Sequence, residues 1–512
     1  MRRLLLKLAR LYAAPKARRF KRAASCPQET QADLLQALVL DLKLTEYGEH
    51  YGISTVEDFK KRLPVVTYDD LAPWVERQRR CEANVLVNGK VAFYEKTSGS
   101  TGPAKYIPYT RALRRSFTDM FLVWAADIIE RMPEVGSGKL YFSISPSFDE
   151  ERVTPGGVPV GLEDDAEYLG PGLKNLLAPF LLMPKGVSAL RDPEEFKRRV
   201  SVALVGEANL RTISIWNPSF LRVLLTWIEG HRDEVLETLG LDAEDPRRSA
   251  LMRDPVDWSV VWPDLKLISC WADGNAAGLA KDLGALFPLA TVQGKGLLAT
   301  EAPMTLPLLG VEGGVPMLTE VYFELLTPSG ELLGLHEVER GETYEVVIST
   351  RGGLCRYRMG DRVKVVSRYE ETPTFQFVGR GDKVSDLVGE KLNEGYVRDL
   401  LKELDLSESR FQCLMPVRHP EDRYVLVLDA CEGDVRELEV LVESRLAEAF
   451  HYRHARNLDQ LQAVRVVVEP RIESLLSEFF IRRGKRWGDM KSTCLLTTPL
   501  DGPMLEGLGL SS

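Results

Sequence analysis

The sequence predicts an α/β protein of two domains. The large N-terminal domain has helix-covered sheets and an antiparallel subdomain, and a small mobile α+β domain follows it. Three patterns in the 512 residues predict this. Between residues 139 and 301, short apolar runs alternate with helical stretches, the signature of a sheet covered by helices. After residue 315, apolar runs follow one another closely across Gly-rich turns, which reads as antiparallel pairing. Beyond residue 392 the order helix, hairpin, helix, strand, helix fills a unit of ordinary small-domain size.

Taken in order, residues 1–22 hold nine Lys or Arg and no acid, so the rest of a chain of net charge −9 carries −18. This segment reads as a membrane-surface helix, a transit peptide, or a basic first helix docked on the acidic body. Its longest apolar run, Leu4-Leu5-Leu6, is too short for a signal-peptide core or a membrane span. Helical apolar spacing covers 28–46, and a short helix covers 70–80. An apolar strand, Val91-Ala92-Phe93-Tyr94, then leads to Thr97-Ser98-Gly99-Ser100-Thr101-Gly102-Pro103-Ala104-Lys105. Glycines let backbone N–H groups approach anionic oxygens, hydroxyls add donors, and the lysine adds charge, so the stretch suits a phosphate chain. The Walker A spacing is absent, and a plain turn or linker fits the same composition.

The alternating region has strands at 140–144, 212–216 and 265–269 and helices at 220–237 and 276–286. It ends in Gln293-Gly294-Lys295-Gly296-Leu297-Leu298-Ala299-Thr300-Glu301. A carboxylate at such a strand end suits Mg²⁺ shared with phosphates, although a solvated strand end has the same look. Strands follow at 317–327, 344–349 and 363–368. Tyr357-Arg358-Met359-Gly360-Asp361 places an aspartate after a Gly turn, able to accept from both ribose hydroxyls, or simply to close a hairpin. The strand at 375–383 runs into a polar turn with Arg380 and Asp382. We take about 379–386 as a hinge between residues 1–383 and 384–512. The C-terminal part then reads as helix 392–404, hairpin 411–430, helix 434–450, strand 463–468 and helix 472–482. Gly488-Asp489-Met490-Lys491 places a lysine near the tail.

The negative net charge gives no global pull toward nucleic acid, and no segment reaches transmembrane length. The seven cysteines are odd in number, scattered, and form no C-x-x-C pair. That predicts reduced thiols in a cytoplasmic protein with neither zinc site nor disulfide framework. His451 and His454 have a helical metal spacing but no acidic or cysteine partner nearby, and read as surface. No apolar heptad marks an oligomer interface.

The order and spacing of these motifs, with their flanking text, resemble the auxin-responsive acyl acid amido synthetases, the Gretchen Hagen three family. That family lies within the adenylate-forming superfamily of acyl-CoA synthetases and luciferase. The likeness runs nearly the whole chain. Leu44-Thr45-Glu46-Tyr47-Gly48, Phe59-Lys60 and Leu63-Pro64-Val65-Val66-Thr67-Tyr68-Asp69-Asp70 look like its lead-in to the phosphate loop. Gly353-Leu354-Cys355-Arg356-Tyr357-Arg358-Met359-Gly360-Asp361 is similar to its Tyr-Arg-x-Gly-Asp motif, and Thr300-Glu301 to the end of its Ser/Thr-Glu motif. Leu297-Leu298-Ala299 and Ser214-Ile215-Trp216-Asn217-Pro218 depart from the plant pattern, and Lys295 is an addition to it.

The resemblance implies ATP and Mg²⁺ as cofactors and small molecules, a carboxylic acid and an amine such as an amino acid, as partners. The carboxylate attacks the α-phosphorus of ATP to give acyl-AMP, and the amine then displaces AMP. By the same token Ser98, Gly99, Ser100, Thr101 and Gly102 would meet the phosphates, with Lys105 as supporting charge. Thr300 would meet the α-phosphate and Glu301 the metal. Asp361 and Arg380 would hold the ribose, and Lys491 would stabilise the developing charge. Trp216, Asn217, Gly294 and Lys295 would line the acid site. Trp124, Tyr141, Trp216 and Trp271 suit an aromatic or long apolar acid, or form plain core. A thiol acceptor such as coenzyme A, and a non-catalytic sensor of acid or nucleotide, are the alternative readings.

Overall fold

The basic start of the chain folds as a helix, α1 (Arg2–Ser25). The computed structural model describes residues 2–97, 105–143, 153–161, 178–380 and 384–510, apart from 185, 188, 189, 191, 274, 275, 405, 407, 410, 419, 473, 474, 477 and 480–493. The loop residues Ser98, Gly99, Ser100, Thr101 and Gly102, and Lys491, therefore lie outside the described residues. After α1 come α2 (Pro27–Leu42), α3 (Glu46–His50), α4 (Val56–Arg62), α5 (Tyr68–Arg79), the hairpin β1 (Val91–Thr97) and β2 (Lys105–Thr110), and α6 (Arg111–Arg131). Of the three readings of the basic segment, docking is the one the packing bears out. Ala13 packs with Leu122 and Ala126 of α6, and Lys16 Nζ lies 2.6 Å from Asp119 Oδ2. No helix among the described residues is long and apolar enough to cross a membrane.

The chain divides into two compact units, one of residues 1–97 with 105–381, the other of 382–512. The first unit holds two larger sheets. In the parallel one, β3 (Lys139–Phe142), β4 (Leu210–Ser214), β5 (Leu267–Cys270) and β6 (Thr291–Gly294) lie side by side in chain order. Helices Pro193–Gly206, Pro218–Gly230 and Ala277–Leu286 connect them, as the alternation predicts. The expected helix at 220–237 is two helices, broken between Gly230 and Arg232.

The second sheet is fully antiparallel. Its strands are β7 (Thr305–Pro307), β8 (Gly314–Pro316), β9 (Val321–Leu326), β10 (Leu332–Leu333), β11 (Thr343–Thr350), β12 (Tyr357–Tyr369) and β13 (Thr372–Arg380), in the order β10-β9-β11-β12-β13-β8-β7. The motif at 357–361 is not a hairpin turn. It lies within β12, whose Tyr357, Met359, Asp361, Val363 and Val365 alternate inward. The register with β11 slips between Arg358 and Arg362, and Gly360 sits there at φ 80°. That is a bulge, which only a residue tolerant of positive φ accommodates without strain.

Two buried polar side chains tie the N-terminal helices to this sheet. Gln31 of α2 donates Nε2–H to the carbonyls of Leu318 and Val321 and accepts from Phe323 N–H, each at 2.8 Å. Arg356, at φ 48°, grips both carboxylate oxygens of Glu324 at 3.0 and 2.8 Å. It also donates to the carbonyls of Lys60 and Leu63 at the end of α4.

In the second unit, β14 (Val384–Ser385) pairs with β15 (Leu392–Asn393). Strands β16 (Gln412–Val417), β17 (Arg423–Leu428) and β18 (Arg465–Val468) form a mixed sheet. Its two faces alternate as pleating demands. Leu414, Tyr424, Leu426 and Val466 pack in one core with Val397, Leu400, Val442, Leu446 and Tyr452. Cys413, Met415, Val425 and Val427 pack in another with Ile472, Phe479 and Met504. The expected helix 434–450 divides into Val435–Leu446 and Phe450–Asn457, and a terminal helix, Gly502–Gly507, was not expected. Between β14 and β15, Glu390 accepts from the N–H groups of Leu387 and Val388 and from Tyr424 Oη. Burial lifts its carboxyl to about 7. His454 is not surface but half-buried, stacked on Phe450 with centroids 5.8 Å apart.

Two outcomes are expected. Arg356→Met removes one partner of a buried pair whose side chains are 9% and 8% exposed, and should cost about 3–5 kcal/mol. Glu324→Leu added to it should recover part of that, leaving the orphaned carbonyls of Lys60 and Leu63; urea unfolding reads both. Burial depresses His454 from 6.5 to about 4. The unfolded chain therefore takes up this proton first as pH falls, and stability is lost from about 6.5 down through 4. His454→Phe should gain stability relative to the parent over that window and show no such trend above pH 7.

Candidate active site

The hairpin β1–β2 organises the site from below. Thr97 and Lys105 are paired across it, so residues 98–104, the expected phosphate loop, connect its two strands. Lys105 Nζ stands 5.5 Å over the Tyr68 ring. Tyr68 Oη accepts from Tyr106 N–H at 2.7 Å, and burial raises its pKa, keeping the phenol neutral. The Arg79 guanidinium lies 3.5 Å over the Tyr106 ring. Lys105 thus stands on a packed aromatic and basic base.

Further along β2, Tyr109 is buried and stacks between Phe93 and Phe117, with centroids at 4.6 and 5.6 Å. Its hydroxyl donates to the Thr300 carbonyl at 2.5 Å. The strand leaving the phosphate loop therefore holds the Thr300–Glu301 turn directly. That turn is closed by reciprocal backbone bonds between Ala299 and Ala302 at 3.2 Å. Its stem pairs Leu297 with Thr305, and Gly296 stands at φ 68° where a Cβ would lie 2.5 Å from Thr305 Oγ1. Glu301 is 7% exposed and, among the described residues, makes neither an ion pair nor a side-chain hydrogen bond. A buried carboxylate without counter-charge is costly unless a cation completes it. No group of three or more potential ligand side chains occurs among the described residues. A single carboxylate is a donor that Mg²⁺ accepts when phosphates and water complete its shell.

Asp361 and Arg380 are opposite one another on β12 and β13. Asp361 is buried and stands just after the Gly360 bulge. Asp273, which has no role in the sequence reading, follows β5 and accepts from the Gln376 side chain and from Phe377 N–H of β13. Burial raises its carboxyl above the usual range. It ties the end of the parallel sheet to the strand carrying Arg380.

The carboxyl ends of β3 to β6 form the remaining wall, where open α/β sheets ordinarily bind ligands. Phe142, Ser214, Ser269 and Gln293 are partners across the four strands and share one face. Trp216, Trp271 and Lys295 continue that face, two residues further along their strands. The two indoles have centroids 6.2 Å apart. Lys295 Nζ lies 2.8 Å from Ser214 Oγ and 5.0 Å over the Trp216 ring. Trp124 of α6 donates Nε1–H to Gln293 Oε1 at 3.0 Å. Of the four aromatics expected near the pocket, Tyr141 points to the opposite face and is core. Asn217 caps helix Pro218–Gly230, its side chain accepting from Ser219 N–H at 2.9 Å. Gly294 is the last residue of β6, and a Cβ there would meet only ordinary contact. Gln293, part of the motif yet assigned no role from sequence, is a member of this wall.

The model of the GH3 family N-terminal domain matches residues 16–242, and that of the GH3 family central domain matches 314–380. The chain is 24% identical over 420 residues to the indole-3-acetic acid-amido synthetase GH3.3 of Arabidopsis thaliana, covering 71% of this chain and 69% of that protein. It is 23% identical over 432 residues to the 4-substituted benzoates-glutamate ligase GH3.12 of the same plant, covering 75% and 74%. Among solved structures, the AtGH3.15 acyl acid amido synthetase in complex with 2,4-DB superposes with a TM-score of 0.66 at 19% identity, over 97% of this chain and 96% of that one. A 2-hydroxyisobutyryl-CoA ligase shares the fold with a TM-score of 0.57 at 14% identity, over 95% and 92%. The sequence motifs, the paired sheets and the two family models agree, and the chain belongs to the GH3 family.

Proposed function

We propose that this chain is an ATP-dependent acyl acid amido synthetase. The acid's carboxylate attacks the α-phosphorus of ATP, releasing pyrophosphate and forming acyl-AMP. An amine, which we take to be an amino acid, then attacks the acyl carbon and expels AMP. The observation that carries this reading is the bond from Tyr109 to Thr300, because it couples the strand leaving the phosphate loop to the Thr300–Glu301 turn. Relatives in the same family named as amido synthetases and a benzoate–glutamate ligase support the reaction class.

Charge accumulates around phosphorus in the first step, so fixed donors and cations must converge there. We assign Ser98, Gly99, Ser100, Thr101 and Gly102 to the phosphates, with Lys105 below them. Thr300 takes the α-phosphate, and Asp361 with Arg380 takes the ribose. Glu301 would hold Mg²⁺, which neutralises phosphate charge when bound. Lys491 we assign to the developing negative charge. The division into residues 1–383 and 384–512, hinged at about 379–386, is our domain assignment. Seven free cysteines fit a reducing, cytoplasmic setting.

Acid-dependent ATP–pyrophosphate exchange tests the first half-reaction, and AMP release with amino acids or with coenzyme A tests the second. Release stimulated by an amine is expected; release by coenzyme A alone would replace the amide reading with a thioester one. Glu301→Gln should depress exchange by about 10²-fold. Tyr109→Phe should lower it by roughly tenfold through loss of one positioning hydrogen bond. Near-normal exchange in both variants would remove this turn from the site.

A further inference from the structure

The sheet face that meets α6 through Trp124 is polar where a sheet interior is ordinarily apolar. Ser214, Ser269 and Gln293 occupy one row of it, and all three are buried. Trp124 fixes the orientation of the Gln293 amide, because an indole N–H donates only and must meet Oε1. Nε2 is thereby turned the other way, and it is buried with no acceptor among the described residues. A buried donor left unmet costs stability, and such groups are exceptions that call for a partner. Lys295, one row further along, leans back across the sheet so that its ammonium donates to Ser214 Oγ at 2.8 Å, a second donor beside this row. The next row along the strands, Trp216 and Trp271, is aromatic. Thr300 and Glu301, where activation occurs, stand in a separate turn beyond Lys295.

Resting on the amido synthetase reading, we infer that the acid this chain activates carries a second oxygen acceptor, remote from the carboxylate being adenylated. That acceptor is an oxo or a second carboxylate group. Gln293 Nε2–H and the Lys295 ammonium receive it, and Trp216 and Trp271 flank the carbon skeleton between the two ends. A purely apolar acid of the same length would leave the Gln293 Nε2 donor buried and unmet, which is how a polar pocket rejects an isostere. The expectation from sequence of an aromatic or long apolar acid is replaced by one with a polar far end.

The test is ATP–pyrophosphate exchange with the full chain on acids matched in length: straight-chain monocarboxylates, their ω-carboxylates, and their oxo acids. The polar acids should exceed the apolar ones in kcat/KM by about tenfold or more. Which polar arm wins tells an oxo group from a second carboxylate. Gln293→Leu and Lys295→Met should each shrink that ratio, lowering kcat/KM for the polar acids more than for the apolar ones. Exchange with apolar acids equal to or better than polar ones in the parent chain overturns the inference and keeps the ligase reading. Equal loss on both acid classes in the variants overturns it too, by making both residues structural. Exchange with neither panel, although ATP binds, overturns the ligase reading and this inference with it.

Discussion

Arg356 stands in the left-handed backbone region and is buried, and each fact alone would be unfavourable. The arginine is tolerated because four of its five N–H donors are used. Two donors meet the Glu324 carboxylate on β9, and others meet the carbonyls that α4 leaves exposed at its end. One side chain therefore fixes three parts of the chain. The N-terminal segment is stitched further by the exchange of backbone bonds between Val66 and residues 356 and 358. Asp361 lies five residues beyond Arg356, on the strand that begins at Tyr357, so its position inherits this anchoring. The neighbouring Arg358–Glu345 pair has similar geometry, but its arginine is 48% exposed and its contribution is about 0–1 kcal/mol at most. Burial, not the number of hydrogen bonds, separates the two pairs.

The anchoring explains why the candidate site is assembled from ends and turns. Lys105 is the first residue of a strand, Thr300 and Glu301 form a turn, and Trp216, Trp271 and Lys295 continue strand ends. Each is mounted on something rigid: an aromatic stack under Tyr109, the stem of Leu297 and Thr305, the ladder of the parallel sheet. Positive φ at Gly296 and Gly360 lets backbone turn sharply beside these residues. The rigid layers hold position while the turns present polar atoms.

Much of this was legible in the chain. The alternation from 139 to 301 gave the helix-covered sheet because short runs such as Leu140-Tyr141-Phe142 and Leu267-Ile268 stand out between helical stretches. The motif at 357–361 was misjudged because Gly360 is a strong turn signal. Yet the alternation of Tyr357, Met359, Asp361 and Val363 was present in the letters and reports the strand that exists. The helix break near residue 448 had no Gly or Pro to announce it. The helix Gly502–Gly507 did have a signal, Asp501 as cap with a proline in the first turn. Lys105, Thr300, Glu301 and Asp361 were singled out by motif order. Asp273 and Gln293 were not, because their roles depend on which strand lies opposite, and that is fixed only by tertiary pairing.

Two features of the site run against stability, and they bracket one loop. Gln293 keeps a buried donor unmet, and eight residues later Glu301 keeps a buried carboxylate without counter-charge among the described residues. Elsewhere in this unit the buried side chains of Gln31 and Arg356 are well bonded, whereas the hydroxyls of Tyr94 and Thr212 are also unmet among the described residues. The two deficits are chemically opposite: one lacks an acceptor, the other a cation. A single apolar ligand would repair neither. An acid with an oxygen at its far end, adenylated beside a cation-bound phosphate chain, repairs both at once, so the polarity of the two deficits itself argues for the order in which substrate atoms lie along the loop.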